Sequence, residues 1–378
     1  MINALPPYRL IETPQDLENL GVRLNQETSV ALDLEGDSLY HYREKICLIQ
    51  IAARTECFLI DPLQIKDLSP LAPFLNNPDI IKILHGADYD IRSLYRDYQF
   101  QIQNLFDTES AARFLGLKET GLGALLGARF QIQLDKRFQK SDWSKRPLTD
   151  PMLSYAAADV AYLIPLAQSL MTDLEVLGRL PSVLEEGDRL CRVRFNPSYQ
   201  GPLFLQFKGG RHLDSRSLGL LENLLQFRKA QAEKRDRPLF KILGAEVLKT
   251  LALEKPLTLE QLKGIKGLSA KLIDRLGEGL IECLKQGLAI PETDLPRFPP
   301  SIRPQINPAV AARVKALKGW REKKARELNL DPGVLISNAL IDQIGEKNPT
   351  GPEDLELIPE LRQWQHQAFG PEILQVLS

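Results

Sequence analysis

Short apolar runs alternate with amphipathic segments along the first 180 residues. Four strand-like runs begin at Val30, Ile46, Cys57 and Ile80. Helical spacing of apolar residues follows over about 88–97, 108–116 and 150–178. Strands that come first in a group and then alternate with helices are typical of an α/β fold, so we predict a mixed central sheet flanked by helices.

Beyond about residue 217 the pattern is helical, with apolar residues three and four positions apart, as in Leu220, Leu221, Leu224 and Leu225. Six prolines between 291 and 308 rule out a helix interior and predict a linker. We therefore predict an α/β domain over 1–180, a connector over 181–214, a helical domain over 215–290, a linker over 291–307 and a second helical domain over 308–378.

The two helical segments resemble each other at an offset of 93 residues. Phe227-Arg228 corresponds to Trp320-Arg321, and Pro256 to Pro349. Since an aromatic–arginine pair and a proline share one register, we predict two copies of one small helical domain. Glu322 stands where the first copy has Lys229, so the second copy is expected to brace the structure more than to bind a polyanion.

Three groups of acidic residues carry the candidate chemistry. Asp33 and Glu35 are two apart on a predicted strand and project from the same face. Asp90 lies near the start of the helix after the Ile80 run, where acids are also favoured as helix partners. Tyr155 and Asp159 are four apart on a helix and share a face. Each group alone is compatible with an ordinary surface.

Together these four carboxylates can hold two divalent cations, and an all-oxygen ligand set suits Mg²⁺ or Mn²⁺. Two such ions roughly 3.5–4 Å apart stabilise the attacking and leaving oxygens of a phosphoryl displacement. The four cysteines are far apart in sequence, which argues against a zinc ribbon, a redox pair or a disulfide framework.

The order Asp33-x-Glu35, Asp90 and Tyr155-x-x-x-Asp159 resembles the three exonuclease motifs of the DEDD superfamily, in its Tyr-containing branch. The stretch 135–148 leading into Tyr155 is similar to the ribonuclease D family. The helical copies resemble HRDC domains, which are accessory nucleic-acid-binding modules. The resemblance implies a ribonuclease H-like α/β exonuclease domain followed by two all-α HRDC-like domains.

By this resemblance, Asp33 would bridge two metals, Glu35 and Asp159 would complete the first site, and Asp90 would hold the second. Tyr155 would orient the water that attacks. The implied reaction is hydrolysis of the terminal phosphodiester from the 3′ end, which releases nucleoside 5′-monophosphates.

Further residues are expected to contact the substrate: Gly36, Asp37, Ser38, Leu39, His85, Arg137, Lys234, Arg235 and Arg237. A single histidine at the end of a strand is more often structural, so a structural role is the alternative for His85. Asp107 is expected to cap the helix that starts at Thr108, with no catalytic role.

Charge is distributed unevenly along the chain. Residues 1–180 carry 18 basic and 24 acidic residues, a net of −6, whereas 206–290 carry 16 and 10, a net of +6. A basic module beside an acidic one favours a polyanionic partner. The favoured hypothesis is an exoribonuclease acting on structured RNA 3′ ends such as tRNA precursors.

Two alternatives stay open at this point: a DNA exonuclease of the same class, and a non-catalytic nucleic-acid-binding scaffold. The start of the chain carries no secretory signal pattern and no apolar run reaches the length of a membrane span. A cytoplasmic protein with no membrane partner is therefore expected, with a monomer favoured.

Overall fold

A computed structural model describes residues 7–54, 56–196, 200–299 and 307–378. Its internal contacts group the chain into two units. The first comprises 1–36, 46–195 and 304–378, and the second comprises 37–45 and 196–303. The second helical copy therefore belongs to the same unit as the α/β domain.

The first unit contains a six-stranded mixed sheet. Its strands are β1 (Tyr8–Ile11), β2 (Ser29–Gly36), β3 (Ile46–Ala53), β4 (Glu56–Ile60), β5 (Ile81–Leu84) and β6 (Leu105–Asp107), in the spatial order β1-β4-β3-β2-β5-β6. The β2–β3 and β3–β4 pairs are antiparallel, and the β1–β4, β2–β5 and β5–β6 pairs are parallel. The predicted mixed sheet is confirmed, with β1 and β6 in addition to the four expected strands.

Helices cover this sheet: α1 (Pro14–Leu24), α2 (Ala72–Leu75), α3 (Asp88–Tyr98), α4 (Thr108–Phe114), α5 (Leu122–Phe130), α6 (Asp150–Ala161), α7 (Leu163–Val176) and α8 (Leu180–Cys191). Strand alternation sends Val30 and Leu32 of β2 to one apolar layer with α1 and α3, and Ala31 to the other with α4, α6 and α7. Both faces of the sheet are thus covered, which explains why β3 is buried along its whole length.

The remaining helices form the two copies. The first contains α9 (Ser215–Arg235), α10 (Leu239–Ile242), α11 (Ala245–Glu254), α12 (Leu259–Lys263) and α13 (Ala270–Leu288). The second contains α14 (Pro308–Leu328), α15 (Pro332–Leu335), α16 (Asn338–Lys347), α17 (Pro352–Glu356) and α18 (Gln363–Leu377).

One arginine in each copy, half-buried Arg228 and buried Arg321, demonstrates the repeat at atomic detail. The Arg228 guanidinium donates to the Leu243 carbonyl at 3.3 Å, and that of Arg321 donates to the Ile336 carbonyl at 2.9 Å. The two donors are 93 residues apart, and so are the two acceptors. The offset seen in the sequence therefore corresponds to equivalent contacts in the two copies.

Part of the predicted linker can be compared with the structure. Pro291 precedes a 3-10 turn at Glu292–Asp294, and Pro308 opens α14. Pro300 and Pro304 of that linker lie outside the described residues, as does the start of the chain, 1–6. Within the described ranges, no helix has the length and hydropathy of a membrane span.

Candidate active site

Strand β2 and helix α6 bring three of the predicted acids together. One carboxylate oxygen each from Asp33, Glu35 and Asp159 lies within 4.8 Å of the others. The approach of the helix depends on Ala156 and Ala157, which are fully buried where α6 packs on the sheet. A larger residue at either position would push Asp159 away from β2.

Asp90 reaches the same region from α3. This helix follows β5, which pairs in parallel with β2, so the end of β5 lies beside the end of the strand that carries Asp33 and Glu35. Asp90 is 7% exposed, and its charge contributes to the raised pKa of Asp33. The four predicted carboxylates therefore form one electrostatic cluster.

Burial raises the pKa of every member of this cluster, and repulsion between members adds to the effect at Asp33 and Glu35. The pKa of Asp33 lies well above its usual range because of burial, and then because of Asp90, Asp159 and Glu35. Burial and the charges of Asp159 and Asp90 raise the pKa of Glu35 to about 9. Without a cation, these groups therefore bind protons that ordinary carboxyl groups release near pH 4.

Burial is also the largest cause of the raised pKa of the other two members, Asp90 and Asp159. Burial, and then the charge of Asp107, raise the pKa of Asp90 to about 8. Burial also raises the pKa of Asp159, to about 7, while a hydrogen bond from Tyr155 acts in the opposite direction. A divalent cation among the four would favour their ionised forms.

Tyr155 is held against Asp159 by aromatic packing. Its ring lies 6.0 Å from those of both Phe138 and Trp143, and its hydroxyl bonds to the Asp159 carboxylate. Burial and the nearby acids raise the pKa of Tyr155 above its usual value of 10. The phenol therefore stays protonated at neutral pH and acts as a hydrogen-bond donor.

A groove of about 280 Å³ opens beside Tyr155 and Asp159, and Asp135 and Arg137 also line it. The Arg137 guanidinium pairs with Asp135 at 2.6 Å and is largely exposed. Arg137 thus lies beside the acidic cluster, as a residue that guides a phosphate backbone would.

The donor set fits hard divalent cations, because the cluster offers carboxylate oxygens that are close together and partly buried. Sequence patterns missed one neighbour of this cluster. Gln50 on β3 is directly opposite Asp33 in the β2–β3 register, is fully buried, and has no hydrogen-bond partner for either amide atom among the described residues. An unsatisfied buried amide at this point fits a site that a bound ion and its ligands complete.

Asp107 caps α4, as expected, by accepting a hydrogen bond from the Glu109 amide. The same carboxylate oxygen accepts the Gly86 amide at 2.7 Å, which ties β6 to the turn that leads to Asp90. Gly86 has φ of 71°, a conformation that suits glycine. The capping residue therefore also fixes the position of Asp90.

His85 lies in the same turn. Its Nδ1 is 2.9 Å from the Thr108 hydroxyl, which itself donates to the Leu84 carbonyl. This arrangement supports the structural reading of His85 more than a direct contact with substrate, and it reinforces the link between β5 and α4.

The residues that follow Glu35 differ in exposure. Gly36 ends β2 at an irregularity of the β2–β3 register. Asp37 is buried and accepts the Lys45 amide at 2.8 Å, whereas Ser38 and Leu39 are exposed. Of these residues, the two exposed ones are therefore available for contact with a nucleotide.

The predicted basic residues lie at the C-terminal end of α9, in the second unit. Lys234 and Arg237 are exposed, while Arg235 is half-buried and bonds to Gln231 at 3.2 Å. The neighbouring Phe240 is 57% exposed. This surface offers exposed cationic groups and one aromatic ring.

Comparison with known proteins identifies the family. A 3′-5′ exonuclease family model matches residues 8–175, and an HRDC domain model matches 217–284 and 310–377. Ribonuclease D from Gluconacetobacter diazotrophicus is 30% identical over 98% of this chain and 93% of its own length. The chain belongs to the ribonuclease D family. Its class of activity is that of a metal-dependent 3′–5′ exoribonuclease.

Two further members of the ribonuclease D family support this assignment. The enzyme from Desulfotalea psychrophila is 31% identical over 86% of this chain and 87% of its own length. The crystal structure of Escherichia coli RNase D, 28% identical, covers 98% of each chain with a TM-score of 0.72. The ribonuclease H-like exonuclease fold with two HRDC domains is thereby confirmed.

Proposed function

We propose that this chain removes nucleotides one at a time from RNA 3′ ends and releases nucleoside 5′-monophosphates, using two divalent cations. The observation that carries the proposal is that Asp33, Glu35 and Asp159 bring carboxylate oxygens within 4.8 Å of one another beside the hydroxyl of Tyr155, while the charge of Asp90 acts on Asp33 and Glu35. The ions are Mg²⁺ or Mn²⁺, because the donors are carboxylate oxygens.

Each carboxylate has a distinct place in this scheme. Asp33 would be a ligand to both ions, since the charges of all three other acids act on it. Glu35 and Asp159 would complete one ion site with it, and Asp90 would complete the other. Bound divalent cations would supply charge stabilisation at the attacking and leaving oxygens of the phosphodiester.

The protein's own side chains position the reactants. The neutral phenol of Tyr155 donates its single proton to Asp159, and its oxygen accepts a hydrogen bond from the attacking water and so orients that water. Asp159 holds that hydroxyl in place from the same face of α6. Arg137 lines the same groove as Tyr155 and is exposed, and Ser38 and Leu39 are exposed and closely follow Glu35 in sequence, so these three are the proposed contacts for the terminal nucleotides.

The proposed substrates are structured RNA 3′ ends, including tRNA precursors. The related RNase D from E. coli is an exoribonuclease involved in structured RNA processing. We propose that the first HRDC domain binds the phosphate backbone of RNA. Its support is the net charge of +6 over 206–290 and the exposure of Lys234 and Arg237. We further propose a monomer in the cytoplasm, where its four free cysteines would stay reduced.

A 3′–5′ exonuclease acting on DNA is the second candidate, because the carboxylate site acts on the phosphodiester, which RNA and DNA share. The scaffold alternative is disfavoured because all five positions of the motif, including Tyr155, are intact and assembled.

The decisive experiment compares one RNA and one DNA oligonucleotide of the same sequence, each with a single-stranded 3′ tail. Each is incubated with Mg²⁺, Mn²⁺ or EDTA and resolved as a ladder. We expect stepwise 3′ shortening of RNA that EDTA stops. Faster shortening of DNA would support the second candidate, and binding without shortening would support the scaffold.

Asp33→Asn is the catalytic control, and Asp79→Asn, at an exposed site before β5, is its matched counterpart. We expect Asp33→Asn to abolish hydrolysis while folding and RNA binding are retained, and Asp79→Asn to leave all three unchanged. Near-normal turnover by Asp33→Asn would contradict the two-ion assignment.

A further inference from the structure

The last helix of each HRDC copy begins on a different kind of residue. In the first copy, Ser269 is the N-cap of α13, and its hydroxyl accepts the Leu272 amide at 3.3 Å. The residue 93 positions later is Arg362, the N-cap of α18. An arginine side chain has donors and no acceptor, so it cannot satisfy the amides at a helix start.

Helix α8 of the exonuclease domain supplies the acceptor instead. One carboxylate oxygen of Glu185 accepts the Gln363 amide at 2.7 Å, and the other accepts the Trp364 amide at 2.9 Å. A carboxylate at this position also interacts favourably with the positive end of the helix dipole. Glu185 therefore replaces the cap that the second copy lacks.

Arg179, at the start of α8, interacts with the C-terminal end of α14, another helix of the second copy. One terminal nitrogen of Arg179 donates to the Phe114 carbonyl and the other to the Leu328 carbonyl, both at 2.8 Å. These residues end α4 and α14, where unpaired carbonyls and the negative dipole end favour a cation. The two side chains from the α8 region are thus opposite in charge to the helix ends that they contact: Glu185 at the positive start of α18 and Arg179 at the negative end of α14.

Close packing accompanies these polar contacts. The Trp364 ring meets Phe114 edge-on with centroids 5.3 Å apart. Gly116 has φ of 75°, and a Cβ there would lie 2.0 Å from the Asn329 carbonyl oxygen. Any side chain at position 116 would therefore separate α4 from the end of α14.

We infer that the second HRDC copy is a structural component of the exonuclease domain, completed by a helix cap that Glu185 provides from outside the copy. This role differs from the nucleic-acid binding expected of an accessory module, and it accounts for the presence of Glu322 where the first copy has Lys229. Contacts with α4 also place this copy at the far end of the helix that Asp107 caps beside Asp90.

Glu185→Ala in the full-length chain tests the inference. We expect the Tm to fall by about 3–8 °C and amide exchange at Gln363 and Trp364 to accelerate at least tenfold. Arg362→Ser restores the residue type of the first copy. The double variant should therefore recover most of that loss, since the introduced serine hydroxyl can accept an amide as that of Ser269 does.

Arg362 also forms an ion pair with Glu186 at 2.9 Å. The wild type, the two single variants and the double variant form a double-mutant cycle. Arg362→Ser alone measures the loss of the ion pair, so the effect of the cap can be separated from it. Arg179→Ala is the specificity control, and Arg362→Ser should not rescue it.

Unchanged exchange at the start of α18 in Glu185→Ala would overturn the inference, as would a double variant no more stable than Glu185→Ala. Both readouts are independent of RNA hydrolysis. A negative result here would therefore not contradict the proposed reaction. A negative result in the hydrolysis assay would likewise not contradict the structural role of the second HRDC copy.

Discussion

Gln50 and Asp33 are direct cross-strand partners in the antiparallel β2–β3 pair, so both side chains lie on the same face of the sheet. One is a carboxyl group at the centre of the acidic cluster. The other is a fully buried amide whose nitrogen and oxygen have no partner among the residues the structure describes. Burying such a group costs about 1–3 kcal/mol, which a role in the metal site would explain.

Gln50→Leu is expected to retain or raise the Tm, because an apolar side chain of similar size replaces an unsatisfied amide. It should also raise the half-saturating Mg²⁺ concentration, or lower kcat, by about 10-fold or more, since residues that support metal ligands have effects of that size. Thermal melts and metal titrations of the RNA ladder measure both effects.

Gln365→Leu is the matched control, because the Gln365 amide is buried but donates to the Leu335 carbonyl and accepts the Arg362 amide. It should lose stability without a change in metal response. An unchanged metal titration in Gln50→Leu would remove Gln50 from the site.

Tyr155→Phe removes only the hydroxyl that bonds to Asp159, while the packing against Phe138 and Trp143 is retained. We expect kcat to fall about 10²-fold with little change in KM, because the lost contact orients water in the reaction and does not bind substrate. Tyr162→Phe, which alters a second tyrosine lining the same groove, should have a small effect. A rise in KM with unchanged kcat would indicate a substrate-binding role for Tyr155.

Strand and helix periodicity place Asp33 with Glu35 and Tyr155 with Asp159, because side chains two apart on a strand or four apart on a helix share a face. Those local relationships are confirmed in the structure. The convergence of β2 and α6 came from the motif resemblance, since no local pattern reports contacts between residues more than 100 positions apart.

Three findings could not be predicted from such local sequence patterns. The pairing of Gln50 with Asp33 depends on strand register, the second role of Asp107 depends on a neighbouring turn, and the cap from Glu185 depends on domain docking. The repeat offset offered one signal, because Arg362 stands where a capping serine is expected. The assigned roles of the substrate-contacting residues remain predictions.

Asp107→Ala should reduce both stability and activity. Loss of the α4 cap costs about 1–2 kcal/mol, and loss of the Gly86 contact frees the turn that positions Asp90. Asp214 is the matched control, because it caps α9 through the amide and hydroxyl of Ser217 in the other unit. Chemical denaturation should show a loss for both variants, whereas single-turnover cleavage should slow only in Asp107→Ala. Equal cleavage by the two variants would contradict a positioning role.

Charge reversal at Lys234 and Arg237 should weaken RNA binding and make its dependence on salt less steep. Each lost phosphate contact reduces the slope of log K against log salt by about 0.7–0.9, so the double variant should lose about 1.4–1.8 units of slope. Adding the Arg235 reversal should contribute less, because that side chain is half-buried. Reversal of the exposed Lys315 and Lys318 in the second HRDC copy is the control, and an equal effect there would contradict the proposed division of roles.

Lys82 is a buried cation outside the acidic cluster. It lies on β5 with no exposed surface, and its Nζ donates to the Asn77 carbonyl at 2.5 Å. Burial lowers its pKa from 10.5 to about 8, while Cys191 acts weakly in the opposite direction. Folding therefore opposes protonation of this amine, and the charged form costs stability at neutral pH.

Lys82→Met should consequently stabilise the protein at pH 7 by about 1–2 kcal/mol, after allowance for the lost hydrogen bond to Asn77. The gain should shrink between pH 8 and 10.5. In that window the unfolded wild-type chain binds more protons than the folded one, so wild-type stability rises with pH through this group. Denaturation of both proteins at pH 7 and pH 10 measures the difference, with the exposed Lys66→Met as control. A gain that is equal at both pH values would show that packing, and not the buried charge, separates the variant from the wild type.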